Sequence, residues 1–327
     1  MKISLQVKAE RYPLRRSFTI ARGTKTEAHV VTCILDDGMH AGRGECVPYA
    51  RYGESVESVM QTIEGTRALL ASGISRQELQ TRLHAGAARN AIDCALWDLE
   101  AKASGQRAYQ HACALHPRPL HTAVTISLGA PEDMAAETRA LSDHALLKVK
   151  VGTGDDRARI QAVRSAAPKA AIILDANEGW SRESLRDHLI IAAHMRISLI
   201  EQPLPVGQDA ILGEIPHPVP ICADESVHVA ADIPALVGRY DAVNIKLDKT
   251  GGLSEALEAL KLARSLGFGV MIGCMVGTSL AMAPAMLLAQ EADYVDLDGP
   301  LLLARDRSPG LHYSGSVVSP PVPELWG

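Results

Sequence analysis

The chain has 327 residues, more than one ordinary domain and enough for a barrel of ~250 residues with a smaller partner. Hydrophobic residues make up 47% and charged residues 22%, a composition able to bury a large core. A formal net charge of −5 with no long basic block argues against nucleic acid or an anionic membrane as partner, and no apolar run reaches the ~18 residues of a membrane span.

The opening segment, Met-Lys-Ile-Ser-Leu-Gln-Val-Lys-Ala-Glu, alternates and carries charge, so it predicts a strand and not a signal peptide. A second strand is expected at 30–35, with Gly38 and Gly42 to Gly44 punctuating a turn. Helical spacing follows over 55–70, 76–84 and 87–103, the last stopped by Gly105 and burying Cys94 and Trp97. Strands followed by helices predict a separate α+β domain over residues 1–118. Cys33, Cys46, Cys94, Cys113, Cys222 and Cys274 form no C-x-x-C pair and read as free thiols of a reducing cytoplasm.

From about Thr122 the rhythm changes. Short β-rich runs recur at 123–128, 145–151, 171–175, 197–201, 220–224, 242–247, 269–274 and 294–298. Amphipathic stretches such as 155–166, 182–194 and 253–266 lie between them. Eight strands alternating with crossovers predict an α/β fold, a parallel (β/α)8-type TIM barrel over 119–305. An open doubly wound sheet fits less well, since no G-x-G-x-x-G follows a strand. The tail, about 306–327, with Pro309, Pro320, Pro321 and Pro323, is expected to run back over the first domain.

The strand ends carry the chemistry. They read Lys148-Val-Lys150, Asp175-Ala-Asn177, Glu201-Gln202, Asp224-Glu225, Asn244-Ile-Lys246 and Asp296-Leu-Asp298. A barrel interior is packed with branched apolar side chains, and its charged layer sits at the C-terminal ends of the strands, where active sites lie. Residues i and i+2 of a strand point the same way, so Lys148 with Lys150, and Asp296 with Asp298, are expected to face inward together. Asp175, Glu201 and Asp224, from adjacent strands, would converge as three buried negative charges, a costly arrangement without a cation. All-oxygen ligands suit Mg²⁺, and no His or Cys beside the trio favours zinc. Lys150 and Lys246 would flank the α-carbon of a metal-chelated carboxylate, one removing a proton and the other returning it on the opposite face. The metal would stabilise the enediolate between these steps. Lys148 would lower the pKa of Lys150 by its charge. Asn177 and Gln202 are expected to orient the ligands. Asp248 and Lys249 read as a local ion pair, and His194 and His217 as structural or exposed.

The set Lys148-x-Lys150, Asp175, Glu201, Asp224 and Lys246 resembles the muconate lactonizing enzyme subgroup of the enolase superfamily, the superfamily known for a Lys or His base working with Mg²⁺. The likeness covers nearly the whole chain, including Gly-Arg-Gly-Glu-Cys-Val-Pro (42–48) and Ala-Ile-Asp-Cys-Ala-Leu-Trp-Asp-Leu-Glu-Ala-Lys (91–102), and implies a modified (β/α)7β barrel with a capping domain. Asp296-Leu-Asp298-Gly-Pro is similar to the Asp-x-Asp motif of the dipeptide epimerases, which binds the substrate ammonium. A likeness to the L-Ala-D/L-Glu epimerases of murein-peptide recycling implies that Arg22, on the first capping loop, meets the acidic side chain of the substrate. Thr125 and Met275, with Cys274, are expected along the substrate pocket. The expectation is a cytoplasmic, homo-oligomeric, Mg²⁺-dependent epimerase acting on the C-terminal residue of a dipeptide. The alternatives are o-succinylbenzoate synthase and N-acylamino acid racemase, whose substrates lack a free ammonium and leave Asp296 and Asp298 without a purpose.

Overall fold

The computed structural model describes residues 3–327; Met1 and Lys2 of the opening strand lie outside the described residues. The chain begins with a long antiparallel hairpin, Ser4–Ile20 against Gly23–Asp36, joined on its inner side by Ala41–Cys46. Pairing in the hairpin breaks between Pro13 and Phe18 and resumes with Phe18 opposite Lys25. Its far end reaches the barrel, where the Leu128 N–H donates to the Thr19 carbonyl at 3.0 Å.

Ser55 and Ser75, each with a capping box, start the helices Val56–Gly65 and Arg76–Arg82. The helix expected over 55–70 is divided at Thr66, whose hydroxyl donates back to the Ile63 carbonyl. The helix Ala87–Ser104 is buried along most of its length and ends at left-handed Gly105, as its sequence predicts.

Gly42 and Gly44 do not form the expected turn; they lie inside the strand Ala41–Cys46. A Cβ on Gly42 would sit 2.2 Å from the Ala95 carbonyl oxygen, and one on Gly44 would sit 2.1 Å from that of Ala91. The glycines therefore serve close approach between strand and helix, a use that turn-forming glycine also resembles in sequence.

Eight parallel strands follow among the described residues: Val124–Ile126, Leu146–Lys150, Ala171–Asp175, Leu199–Glu201, Ile221–Ala223, Ala242–Ile245, Gly269–Ile272 and Tyr294–Val295. Each pairs with the next, and the Ala123 N–H donates to the Val295 carbonyl at 2.7 Å, closing the sheet into a barrel. α-Helices cross over after strands one, two, three, six and seven. After strands four and five the crossovers are short 3₁₀ turns, Ala210–Glu214 and Ala230–Leu236. Pro205, Pro216, Pro218 and Pro234 break these segments as helices.

Ile173, Leu199, Cys222, Ala242 and Met271 pack together as one layer inside the barrel, with Leu146 and Tyr294 against them. Two residues beyond members of this layer, on the same inward face, come Lys148, Asp175, Glu201, Asp224, Asn244 and Asp296. The period-two geometry of the strands thus converts an apolar plug into a charged floor within one step.

The capping helix grips the loop after strand six. Arg89 donates to the carbonyls of Thr250 (2.6 Å) and Gly251 (3.1 Å), Asn90 to Asp248 (2.8 Å), and Asp93 accepts from the Ser254 N–H (2.9 Å) and hydroxyl (2.7 Å). The tail returns to the same helix: buried Trp326 donates to the Cys94 carbonyl at 2.9 Å, and Arg43 donates to the carbonyls of Glu324 and Leu325. All six cysteines are unpaired. Among the described residues no helix is long and apolar enough to cross a membrane.

Candidate active site

A cavity of about 490 Å³ opens between the capping hairpin and the C-terminal ends of the barrel strands. Thr125, Lys148, Lys150, Asn177, Asp224, Lys246, Met275, Asp296 and Asp298 line it, and Arg22 closes one side. Asp175 and Glu201 do not line it but lie directly behind the lining Lys148, which reaches both: Asp175 is the strand neighbour of both Lys150 and Glu201, and each acid is fully buried.

The acids and amines interlock. Lys148, 2% exposed, reaches Glu201 Oε2 and Asp296 Oδ2 at 2.7 Å and Asp175 Oδ2 at 3.1 Å. Lys150 donates to Asp175 at 2.5 Å, and Lys246 to Asp224 at 2.6 Å. Strands two and six stand four apart in an eight-strand ring, so Lys150 and Lys246 enter the cavity from opposite walls.

Burial pushes the Glu201 carboxyl up to about 7, reinforced by the like charge of Asp175. Burial also pushes Asp298 up to about 7, with Asp296 as its like-charged neighbour. Burial works against the charge on Lys148, but Asp296, Glu201 and Asp175 outweigh it and hold the amine well above the usual lysine range. Lys148 is thus clamped by three carboxylates, a different setting from the lone neighbouring charge expected beside Lys150.

Asn177 and Gln202 behave differently from each other. Gln202 Oε1 accepts from the backbone N–H groups of Asp224 (2.9 Å) and Ser226 (3.1 Å), fixing the end of strand five. The Asn177 N–H donates to Asp175 at 3.0 Å, while its side-chain oxygen points into the buried site without a partner. Both residues have positive φ, 46° for Asn177 and 34° for Gln202, so the strand ends turn sharply where the ligand-bearing side chains are set.

Asp248 and Lys249 are not a local ion pair. Asp248 accepts from the Val47 N–H and from Asn90, across the domain boundary. Lys249, fully buried, donates to Asp224 Oδ1 at 2.5 Å and to the Asn244 carbonyl at 3.0 Å. The short helix Leu247–Thr250 turns the two adjacent side chains apart. His194 is exposed, and His217 pairs with Asp241 at 2.7 Å, both remote from the cavity.

Four participants are absent from the set expected from sequence. Asn244 donates to Glu201 Oε1 at 2.7 Å; its position two residues before Lys246 on an inward-facing strand was the available signal. Glu225, 4% exposed, binds Arg22 at 2.7 Å. Tyr49 and Tyr52, on the loop before the first capping helix, wall the cavity, and only the fold brings them there.

Whether the acids suit a cation can be tested on their unmet bonds. Among the described residues no three acid, imidazole or thiol side chains are arranged as a ready cage, because each acid is turned to a lysine. Yet Glu201 Oε2, Glu225 Oε2, Asn177 Oδ1, Asn244 Oδ1 and Asp296 Oδ1 are buried without hydrogen-bond partners. Glu201 Oε2 has only its charge contact with Lys148. All five are acceptors without a donor, and oxygen ligands of this kind fit a hard divalent cation.

Residues 2–110 match the mandelate racemase / muconate lactonizing enzyme N-terminal domain, and residues 132–308 the enolase C-terminal domain-like model. The L-Ala-D/L-Glu epimerase of Escherichia coli K12 is 45% identical over 95% of this chain and 98% of its own. The N-acetyl-D-glutamate racemase of a Pseudoalteromonas species is 43% identical over 91% of this chain and 95% of its own. A crystal structure of an enolase family member from Agrobacterium tumefaciens, with homology to dipeptide epimerases and with bound sodium and L-Ala-L-Glu, superposes with a TM-score of 0.99. It shares 58% identity and covers 99% of this chain and 100% of that one. The dipeptide epimerase of Enterococcus faecalis, complexed with Mg and L-Leu-L-Tyr, superposes at 0.89 with 29% identity, covering 98% of each chain.

Proposed function

The chain belongs to the mandelate racemase / muconate lactonizing enzyme family of the enolase superfamily and is an isomerase; we propose that its reaction is the Mg²⁺-dependent epimerisation of a dipeptide at the α-carbon of its C-terminal residue. The observation that carries this reading is the entry of Lys150 and Lys246 from opposite walls onto one acid floor.

In this reading Asp175, Glu201 and Asp224 hold Mg²⁺, which supplies a Lewis acid for the substrate carboxylate and so makes its α-proton removable. Lys150 and Lys246 exchange that proton on opposite faces, each needing to be neutral at its turn. Six buried carboxylates, Asp175, Glu201, Asp224, Glu225, Asp296 and Asp298, face five cations, Arg22, Lys148, Lys150, Lys246 and Lys249. A divalent ion bound among these acids would add positive charge beside the lysines, and a neighbouring cation disfavours the protonated amine, which favours the base form that the reaction needs. Asp296 and Asp298 receive the ammonium of the dipeptide, with Thr125 holding Asp298 through its N–H at 2.7 Å. Met275 forms an apolar wall, Lys148 keeps the acid cluster together, and Asn177 and Gln202 set the strand ends.

The L-Ala-L-Glu pair is the favoured substrate, consistent with the acidic residue named for the E. coli and Agrobacterium relatives. A role in murein-peptide recycling, a cytoplasmic location, a homo-oligomeric form and a division into a capping unit (1–118 with the tail) and a barrel (119–305) belong to the same proposal.

The test is incubation of L-Ala-L-Glu and N-acetyl-L-glutamate with the protein and Mg²⁺ in D₂O, reading mass gain at the α-carbon. We expect exchange with the dipeptide, selective loss of it in Asp298→Asn, and abolition in the double variant Lys150→Ala, Lys246→Ala. Turnover of N-acetyl-L-glutamate in preference to the dipeptide would replace the substrate, and exchange surviving the double variant would refute the two-base chemistry.

A further inference from the structure

Asp175, Glu201 and Asp224 repeat one arrangement: each gives one carboxylate oxygen to a fixed donor and turns the other towards a lysine. Asp175 Oδ1 accepts from the Asn177 N–H at 3.0 Å, while its Oδ2 faces Lys150. Glu201 Oε1 accepts from the Asn244 amide at 2.7 Å, while its Oε2 faces Lys148. Asp224 Oδ1 accepts from Lys249 at 2.5 Å, while its Oδ2 faces Lys246 at 2.6 Å. The first two donors are neutral. The third is a charged amine to which the reaction gives no part.

Lys249 is built into the barrel. It is 1% exposed and does not line the cavity. The short helix Leu247–Thr250 turns it back on the end of strand five. Its amine meets three acceptors: Asp224 Oδ1 and the Asp224 carbonyl at 2.5 Å, and the Asn244 carbonyl at 3.0 Å. A lysine ammonium has three N–H donors, so all are spent and none is left for a substrate. Lys246, by contrast, lines the cavity and holds Asp224 through Oδ2, so Oδ2 is the oxygen that can change partners.

We propose that Lys249 sets the choice of cation: by keeping Asp224 Oδ1 occupied it holds this acid to one ligand oxygen, as the Asn177 N–H does for Asp175 and the Asn244 amide for Glu201. The assignment rests on the metal-site reading above and deepens it. Single oxygens from three acids, with positions left open for substrate, suit Mg²⁺, which demands near-ideal octahedral geometry. Ca²⁺ takes ~6–8 oxygens and gains from a carboxylate that binds through both of its own. Lys249 touches neither substrate nor cation and acts through Asp224, so it is a positioning residue.

The test is calorimetric titration of the chelator-stripped protein with Mg²⁺ and with Ca²⁺, in the absence of substrate. The unmodified protein should bind Mg²⁺ at least as tightly as Ca²⁺. Lys249→Met keeps the bulk of the side chain and frees Oδ1, so the affinity for Ca²⁺ relative to Mg²⁺ should rise about tenfold. Lys148→Met removes a like charge but frees only Glu201 Oε2 and Asp175 Oδ2, the oxygens already turned to lysines, so the two ions should tighten together and the ratio should hold. An unchanged ratio in Lys249→Met would overturn the assignment, as would an equal shift in Lys148→Met, which would trace the effect to charge. A preference for Ca²⁺ in the unmodified protein would overturn it without recourse to any variant. Absence of Mg²⁺ binding by the unmodified protein defeats the metal-site reading and this assignment with it; Mg²⁺ binding with an unaltered ratio in Lys249→Met defeats the assignment alone.

Discussion

Replacing Lys148 with Met would test whether the lysine and a divalent cation share the same carboxylate oxygens. The amine sits 2.7 Å from Glu201 Oε2 and Asp296 Oδ2 and 3.1 Å from Asp175 Oδ2, in a site 2% exposed. Breaking a buried ion pair from one side costs ~3–5 kcal/mol, because the partner charge is left uncompensated. That is a large part of an ordinary native stability of ~5–15 kcal/mol. A ligand that binds only the native state adds RT ln(1 + [L]/Kd), ~2.7 kcal/mol at a hundredfold excess over Kd. On the proposed reading Mg²⁺ shares Glu201 and Asp175 with this amine in the unmodified protein; in Lys148→Met that competitor is gone, leaving Glu201 Oε2 free while Asp175 keeps only Lys150. The variant should therefore unfold ~3 kcal/mol more easily in chelator and regain more from Mg²⁺ than the parent does, by ~1 kcal/mol or more. Urea unfolding followed by circular dichroism at pH 8, with chelator and over a Mg²⁺ series, measures both increments. Equal Mg²⁺ increments in parent and variant would refute the shared-oxygen argument.

Two further outcomes concern the frame around the site. Gly44→Ala drives a methyl to 2.1 Å from the Ala91 carbonyl oxygen, a backbone atom that cannot rotate away, and should cost ~3 kcal/mol or more in urea unfolding; a cost under ~1 kcal/mol would show that strand and helix part easily. Burial pushes the Asp93 carboxyl up to about 6 from an ordinary 3.8. Between these values the unfolded chain gives up a proton that the folded one keeps, so this residue's contribution falls as pH rises from ~4 to ~6 and is level above. Asp93→Asn should then gain on the parent across that window by on the order of 2 kcal/mol; a pH-independent difference would show that Asp93 does not titrate there.

Much of the site was legible because strand geometry is simple. Once the apolar runs ending in Lys150, Asp175, Glu201 and Asp224 are recognised as barrel strands, period two and chain order place their charges on one inner face. Less regular segments gave less. Gly42 and Gly44 read as a turn because close approach and tight turning demand the same missing side chain. Lys249 read as the partner of Asp248 because sequence adjacency says nothing of a helical turn that sends one side chain to Asp224 and the other to the capping helix. Tyr49 and Tyr52 lie in the other domain, and their place in the cavity depends on domain packing, which a local pattern does not encode.

The grip of the capping helix on the loop after strand six has a consequence for how the protein is put together. Arg89, Asn90 and Asp93 hold backbone and side chains at 248–254, immediately after Lys246. An excised barrel would keep Asp175, Glu201 and Asp224 on its own strands, yet the segment presenting one of the two amines would lose its external clamp. Maturation of the reactive centre is thereby coupled to interdomain assembly, and a partly assembled molecule would carry its acids before both of its amines are in position.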